Sequence, residues 1–217
     1  MKRLGLVLFA PALALVAGCG GSPKVASLPK PVNEGELPAE LALTPTRFAL
    51  VQPAGKLRVG DTADVAQFLF PAPPKADPVE TLPFHMGDNY SAMGWEKGDD
   101  GFAAVLHRDK VALALKTSMV RSEQEVAEVV QAAEQEAGEA PIRAILYNHA
   151  RFWFWRQGVQ RQMVSATRIG PDRYKIAVAI GHVAVMDRLG MEEGQAQKDA
   201  QEADRIFKTR SANRSAG

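Results

Sequence analysis

Four histidines, at positions 85, 107, 149 and 182, are the residues of this sequence most suited to metal binding or proton transfer. A zinc site needs three or four ligands converging on one point, and no two of these histidines stand one helical turn apart. They read as surface or hydrogen-bonded side chains, and no metal or cofactor is expected. A glutamate series, Glu123, Glu125, Glu128, Glu134 and Glu136, has the composition of carboxylate catalysis, but its spacing places it on the polar side of an amphipathic helix. The sequence contains no nucleophile elbow, no phosphate-binding loop and no dinucleotide fingerprint. The most unusual segment is Arg151-Phe152-Trp153-Phe154-Trp155-Arg156. In a strand the two phenylalanines face one way and the two tryptophans the other. Arg151, Trp153 and Trp155 then suit a protein interface, if helices cover only the opposite face. The alternative is that both faces are buried, one under helices and one under a loop or the preceding chain.

The remaining chemistry belongs to Cys19, the single cysteine of the chain. Lys2 and Arg3 precede an apolar run from Leu4 to Leu15, which is of signal-peptide length and too short to cross a bilayer. The run ends in Val16-Ala17-Gly18-Cys19, a branched residue, two small residues and a thiol. This segment resembles the lipobox of bacterial lipoproteins. The resemblance implies cleavage before Cys19, a diacylglyceryl group on its sulfur and a membrane anchor of two or three acyl chains, enough to hold firmly. Gly20 follows, where aspartate would imply inner-membrane retention in Gram-negative lipoproteins. The expected place is therefore the outer membrane, facing the periplasm, if the source is Gram-negative.

Composition narrows the partners. Lys and Arg total 26 against 25 Asp and Glu, a near-neutral balance that argues against a nucleic-acid surface. With one cysteine there is no internal disulfide, so stability must come from packing.

The elements that would position these residues begin late. Residues 19–47 carry five prolines without a helical or strand period and read as a tether. Asp61-Thr62 caps a helix bearing Val65, Ala66, Phe68 and Leu69, and the prolines at 71, 73 and 74 stop it. Strands follow over 91–96, 101–107 and 110–116, with turns at Asp99-Asp100-Gly101 and Arg108-Asp109. Ser122 and Glu125 form a capping box for a helix with Val126, Val129, Val130 and Ala133 on one face, closed by Gly138 and Pro141. Strands over 142–156, 160–168 and 174–186 come next, then a helix over 192–208 with Ala196, Ala200, Ala203 and Phe207 on one stripe, and a frayed tail over 209–217.

The expected fold class is α+β: an antiparallel sheet with helices packed on one face, built from two helix-plus-three-strand units, 48–120 and 121–208. No residue-by-residue repeat is visible. The segment from Lys56 through Gly60-Asp61-Thr62, Val65, Phe68, Leu69 and Pro71 to Gly94-Trp95-Glu96 resembles the SmpA/OmlA (BamE-like) envelope lipoprotein domain over residues 56–118. It departs from that pattern at Leu69-Phe70 and in a longer loop. The resemblance implies a non-enzymatic part or accessory of envelope assembly. The functional expectation is thus a non-catalytic, lipid-anchored protein that binds or scaffolds another envelope component. Its rivals are a hydrolase drawing on His107, Asp109 and His149, and a module binding a small apolar or glycan ligand through the aromatic strand.

Overall fold

The computed structural model describes residues 37–79 and 86–215, with side chains described to residue 209; the leader, Cys19 and His85 lie outside the described residues. A small hairpin of β1 (Leu50–Gln52) and β2 (Gly55–Leu57) leads to helix α1 (Ala63–Leu69). A two-residue strand β3 (Asp77–Pro78) precedes a meander of β4 (Tyr90–Lys97), β5 (Asp100–His107) and β6 (Lys110–Val120). Helix α2 (Glu123–Ala137) opens the second half, followed by β7 (Arg143–Leu146), β8 (Ala150–Gln157), β9 (Gln160–Gly170) and β10 (Arg173–His182). Helices α3 (Val183–Arg188) and α4 (Glu193–Ser215) close the chain.

The long strands form one antiparallel sheet in the order β3-β4-β5-β6-β10-β9-β8-β7. The last strand of each half pairs with the other, so the α+β halves share a single sheet. Equivalent features recur sixty positions apart. Thr62 and Ser122 are the N-caps of α1 and α2, each accepting a hydrogen bond from the amide three residues on. Strands β4 and β8 begin at 90 and 150 and end at 97 and 157. The turns after them place Gly98 and Gly158 at φ of 62° and 60°, a left-handed conformation that favours glycine. Thr117 of β6 lies directly opposite Ala177 of β10, again at that spacing. A pseudo-twofold axis therefore passes through the sheet between them, and it carries α1 and α2 to the same face.

The sheet is apolar on both sides, so both sides need a cover. Phe102, Ala104, Ala114, Trp155, Val164 and Ile180 pack in one core with Ala66 and Leu69 of α1, Ala133 and Ala137 of α2, and Phe48 and Leu57 beside the hairpin. Val105, Leu113, Phe152, Phe154, Met163 and Ala179 pack in the other with Val185 and Met186 of α3 and Ala196, Ala200 and Ala203 of α4. The helices thus cover both faces, α1 and α2 on one and α3 and α4 on the other, which corrects the one-face expectation. Strands β5, β6, β8 and β10 carry apolar residues in both phases, so their alternation does not say on which face a helix lands.

Four local expectations are also corrected. Helix α1 buries Ala66 and Leu69, but Phe68 is 72% exposed, because the C-cap Phe70 instead fills the core by stacking on Phe102 at 4.1 Å. The run 142–156 is two strands, broken at Tyr147-Asn148-His149 and rejoined as a hairpin. The run 174–186 ends as a strand at His182, whose imidazole accepts from the Ala184 amide and starts α3. Helix α4 continues through the supposed tail to Ser215.

A further correction concerns the tether. Leu37, Leu41 and Leu43 are half-buried against the α3/α4-side core, so residues 37–46 form a strap lying on the folded body. Tyr90 donates its hydroxyl to the Pro38 carbonyl at 2.9 Å, His107 Nε2 lies 3.0 Å from the Ala39 carbonyl, and Gln160 donates to the Thr44 carbonyl. The prolines that hide any sequence period also keep this stretch extended, and leucines two and four residues apart are enough to seat it.

Candidate interaction edge

Strand β8 supplies the aromatic segment, and its alternation is as expected. Phe152 and Phe154 lie in the core under α4, while Trp153 and Trp155 point to the α2 side. Helix α2 covers that side. Trp155 is wholly buried and its indole donates to the Glu139 carbonyl at 3.0 Å, so it is core and is withdrawn from the proposed surface. Trp153 is half-buried, packed against the small cluster of Val126, Ala166 and Tyr174. Arg151 makes a forked pair with Glu123, the first residue of α2, at 2.6 and 2.7 Å. Tyr174 donates to the same carboxylate at 2.7 Å. These donors, Arg151 first and Tyr174 second, hold the Glu123 carboxyl down at about 2. The group ties the start of α2 to β8 and β10, so Arg151 has a structural role alongside any contact it makes.

The exposed part of this surface is one strand further out. β7 stands at the end of the strand order, with β8 on one side and, among the described residues, no strand on the other. Its register sets Ala144 opposite Trp153 and Leu146 opposite Arg151. Directly opposed residues share a face, so Ala144 and Leu146 extend the Trp153 face outward. Leu146 is 62% exposed, and Ile142, just before the strand, is 56% exposed. The opposite phase, Ile145 beside Phe152, is buried. The edge therefore offers an apolar strip, backed by a half-buried tryptophan and bordered by Arg151, next to a strand side that is unpaired among the described residues; Arg143, opposite Phe154, lies on the other face and pairs with Glu193 at 3.4 Å. Unprotected edges of this kind accept an added strand. Sequence reasoning missed Ile142, Ala144 and Leu146 because they merge with the aromatic run into one apparent strand. The turn at Tyr147-Asn148-His149 contains neither Gly nor Pro to mark the break, although Asn148 is a turn former.

The other sequence candidates do not converge. His107 ends β5 beside the start of β6, whereas His149 lies just before the start of β8, at the opposite end of the sheet. Since β6 alone runs eleven residues, about 36 Å at roughly 3.3 Å per residue, His107, Asp109 and His149 form no common site. His149 instead clamps α4, with Nδ1 3.0 Å from Asp204 and its ring stacked on Phe207 at 3.7 Å. Burial holds the His182 imidazole below its ordinary value. Among the described residues no group of three His, Cys, Asp or Glu side chains is placed to hold a metal. An open depression of about 630 Å³ at the turn end of the sheet is lined by Asp99, Asp100, Met119, Arg121, Asp172 and Arg173, with no aromatic wall for a sugar or apolar ligand. Among the described residues no helix is long and apolar enough to cross a membrane.

No family model matches the chain, and no curated protein matches it. Among solved structures it is similar to a DUF4309 family protein, YjgB, from Bacillus subtilis, at 13% identity over 56% of this chain and 78% of that one. The TM-score is 0.29, too low for that likeness to bear on fold or function.

Proposed function

We propose that this chain is a non-catalytic, lipid-anchored cell-envelope protein that binds another envelope component along the β7 edge. The observation that carries the reading is the exposed apolar strip of Ile142, Ala144 and Leu146 beside Trp153, on a strand whose outer side is unpaired among the described residues. An extended segment of a partner protein laid along β7 would gain backbone hydrogen bonds from the edge and bury Leu146 and Ile142. The anchor is read from the lipobox-like Val16-Ala17-Gly18-Cys19, and the resemblance of residues 56–118 to an envelope-assembly lipoprotein domain points the same way. The outer membrane, periplasmic side, is the proposed place if the source is Gram-negative.

The test is site-specific photocrosslinking in native membranes from Leu146 and, as control, from Phe68 on the far side of the sheet order. A defined partner crosslinked from Leu146 and absent from Phe68 supports the reading. No crosslink at Leu146, or the same bands from both positions, overturns it.

A further inference from the structure

The pseudo-twofold halves are covered unequally on the α3/α4 side. Over β8 and β7 the cover is α4, a 23-residue helix whose backbone bonds are internal. Beside β4 and β5 part of the cover is the strap, ten residues without a hydrogen-bonded ladder to the sheet. The body holds the strap by side chains reaching its carbonyls: Tyr90 to Pro38, His107 to Ala39 and Gln160 to Thr44. Carbonyls are common to every residue, so these donors read an extended backbone and not a particular sequence. The sequence-dependent contacts are the leucines at 37, 41 and 43, seated against the core that contains Val105 and Leu113, the Thr46 hydroxyl donating to Gln160 Oε1 at 2.8 Å, and the exposed Glu40–Arg108 pair. Backbone bonds for affinity and spaced apolar seats for selectivity are the ingredients of extended-peptide recognition.

The strap is also inexpensive to open. Its leucines are only half-buried, and its ion pair, Glu40 to Arg108 at 2.5 Å, is exposed and worth less than about 1 kcal/mol. His107 and Gln160 are buried while the strap is docked, at 4% and 1% exposure, but with Tyr90 they lie at the end of the sheet, where departure of the strap uncovers them and water can replace the lost carbonyls. Segments with few buried contacts and no ladder open below the global unfolding free energy.

We propose that the strap is a displaceable occupant, supplied in cis, of a groove that binds an extended, leucine-bearing polypeptide segment. While the strap is docked the groove is closed, and an incoming segment must displace it. This site is at the opposite end of the sheet from Leu146, so it stands or falls separately from the β7 edge. It does not depend on lipidation.

The test uses the full chain carrying Cys19→Ser and a synthetic, fluorescently labelled peptide with the sequence of residues 37–46. Because the tethered strap competes at an effective concentration on the order of millimolar, the parent should bind the peptide only weakly. Leu41→Ser with Leu43→Ser in the strap should strengthen binding at least ten-fold, and adding His107→Ala and Gln160→Ala should abolish the gain. Circular dichroism verifies that each variant is folded. An opened variant that is folded but binds no better than the parent overturns the proposal, as does one that cannot fold. Independently, titrating unlabelled peptide into the isotope-labelled parent should move the strap's NMR resonances toward disordered values while those of β5 and β6 persist. Strap resonances unmoved at millimolar peptide would show that the strap is a fixed part of the core.

Discussion

Trp95 and Trp155, sixty positions apart, make the same contact: each indole donates at 3.0 Å to a carbonyl at the C-terminal end of its own half's helix, Trp95 to Phe70 and Trp155 to Glu139. Phe70 is the C-cap of α1, and Glu139 follows Gly138, the left-handed C-cap of α2. Helix C-termini leave carbonyls without partners, and here a strand residue of the same half supplies one. The contact ties the end of each helix to a strand of its own half.

Replacing either tryptophan with phenylalanine keeps most of the ring and removes this bond. Each change should cost about 1 kcal/mol, the usual net worth of a hydrogen bond. Replacement by alanine should separate the two. Trp155 is fully buried and should lose on the order of 3–5 kcal/mol, whereas half-buried Trp95 should lose less. Urea unfolding of the four variants measures this; equal losses for the two alanine variants would contradict the burial difference.

The strap contributes to stability as well as covering the groove. A chain beginning at Leu37 should melt like the longer protein. One beginning at Phe48 should fold but unfold at lower urea, since His107 and Gln160 lose their carbonyl partners and three leucines no longer cover the core. Equal midpoints for the two chains would mean that residues 37–47 add nothing to the folded state.

Much of the hairpin layout was legible because its signals are local. Thr62 and Ser122 announce caps, and Asp99-Asp100-Gly101 and Arg108-Asp109 announce turns. The relations that were not legible are non-local. The sixty-residue repetition is carried by position and φ, with Trp95/Trp155 and Gly98/Gly158 among the few shared identities, so a scan for similar residues passes over it. The face each helix covers is a property of the chain's crossing, which no period records. Tether and strap share one composition, and Leu41-x-Leu43 is too short to declare itself among prolines. At the edge, the β7–β8 turn lacks the usual punctuation, so the exposed strip was hidden inside the aromatic strand.

Cys19 lies outside the described residues, and its role is tested in cells. Cys19→Ser should move the protein from the membrane fraction to the soluble fraction, because the acyl chains are the proposed anchor. Mass spectrometry of the parent's N-terminal peptide should show the lipid. Equal retention of the variant in detergent-free buffer would defeat the anchor reading.

Acid should loosen the start of α2. Arg151 and Tyr174 hold the Glu123 carboxyl well below its ordinary 4.5, at about 2 in the folded state. A depressed carboxyl stabilises the fold above its unfolded pKa and ceases to do so as pH falls through the folded one. Glu123→Gln should therefore lower the melting temperature at pH 6 to 7, and the gap to the parent should close between about pH 4.5 and 2. The Glu123 side chain is about half exposed, so screening keeps the effect modest, under about 1 kcal/mol. A gap that persists undiminished at pH 2 would place the stabilisation elsewhere than in the ionised pair.

The β7 edge makes opposite demands on its two phases. Leu146 and Ile142 face solvent, so Leu146→Lys with Ile142→Lys should shift stability by no more than about 0.5 kcal/mol each, as surface changes usually do. The same pair places two charges where an added strand would bury its apolar side chains, and partner capture from native membranes should fall at least ten-fold. Phe152→Ala and Phe154→Ala, in the buried phase of β8, should each cost on the order of 3–5 kcal/mol and serve as the reference for core loss. Trp153→Ala tests the join between edge and core: it should cost an intermediate amount and also weaken capture, because the ring is half-buried behind Ala144. If the lysine pair unfolds the protein as the phenylalanine variants do, the strip is core. If it leaves both stability and capture intact, β7 is a bare edge with no partner, and the binding function must be sought at the strap-covered groove.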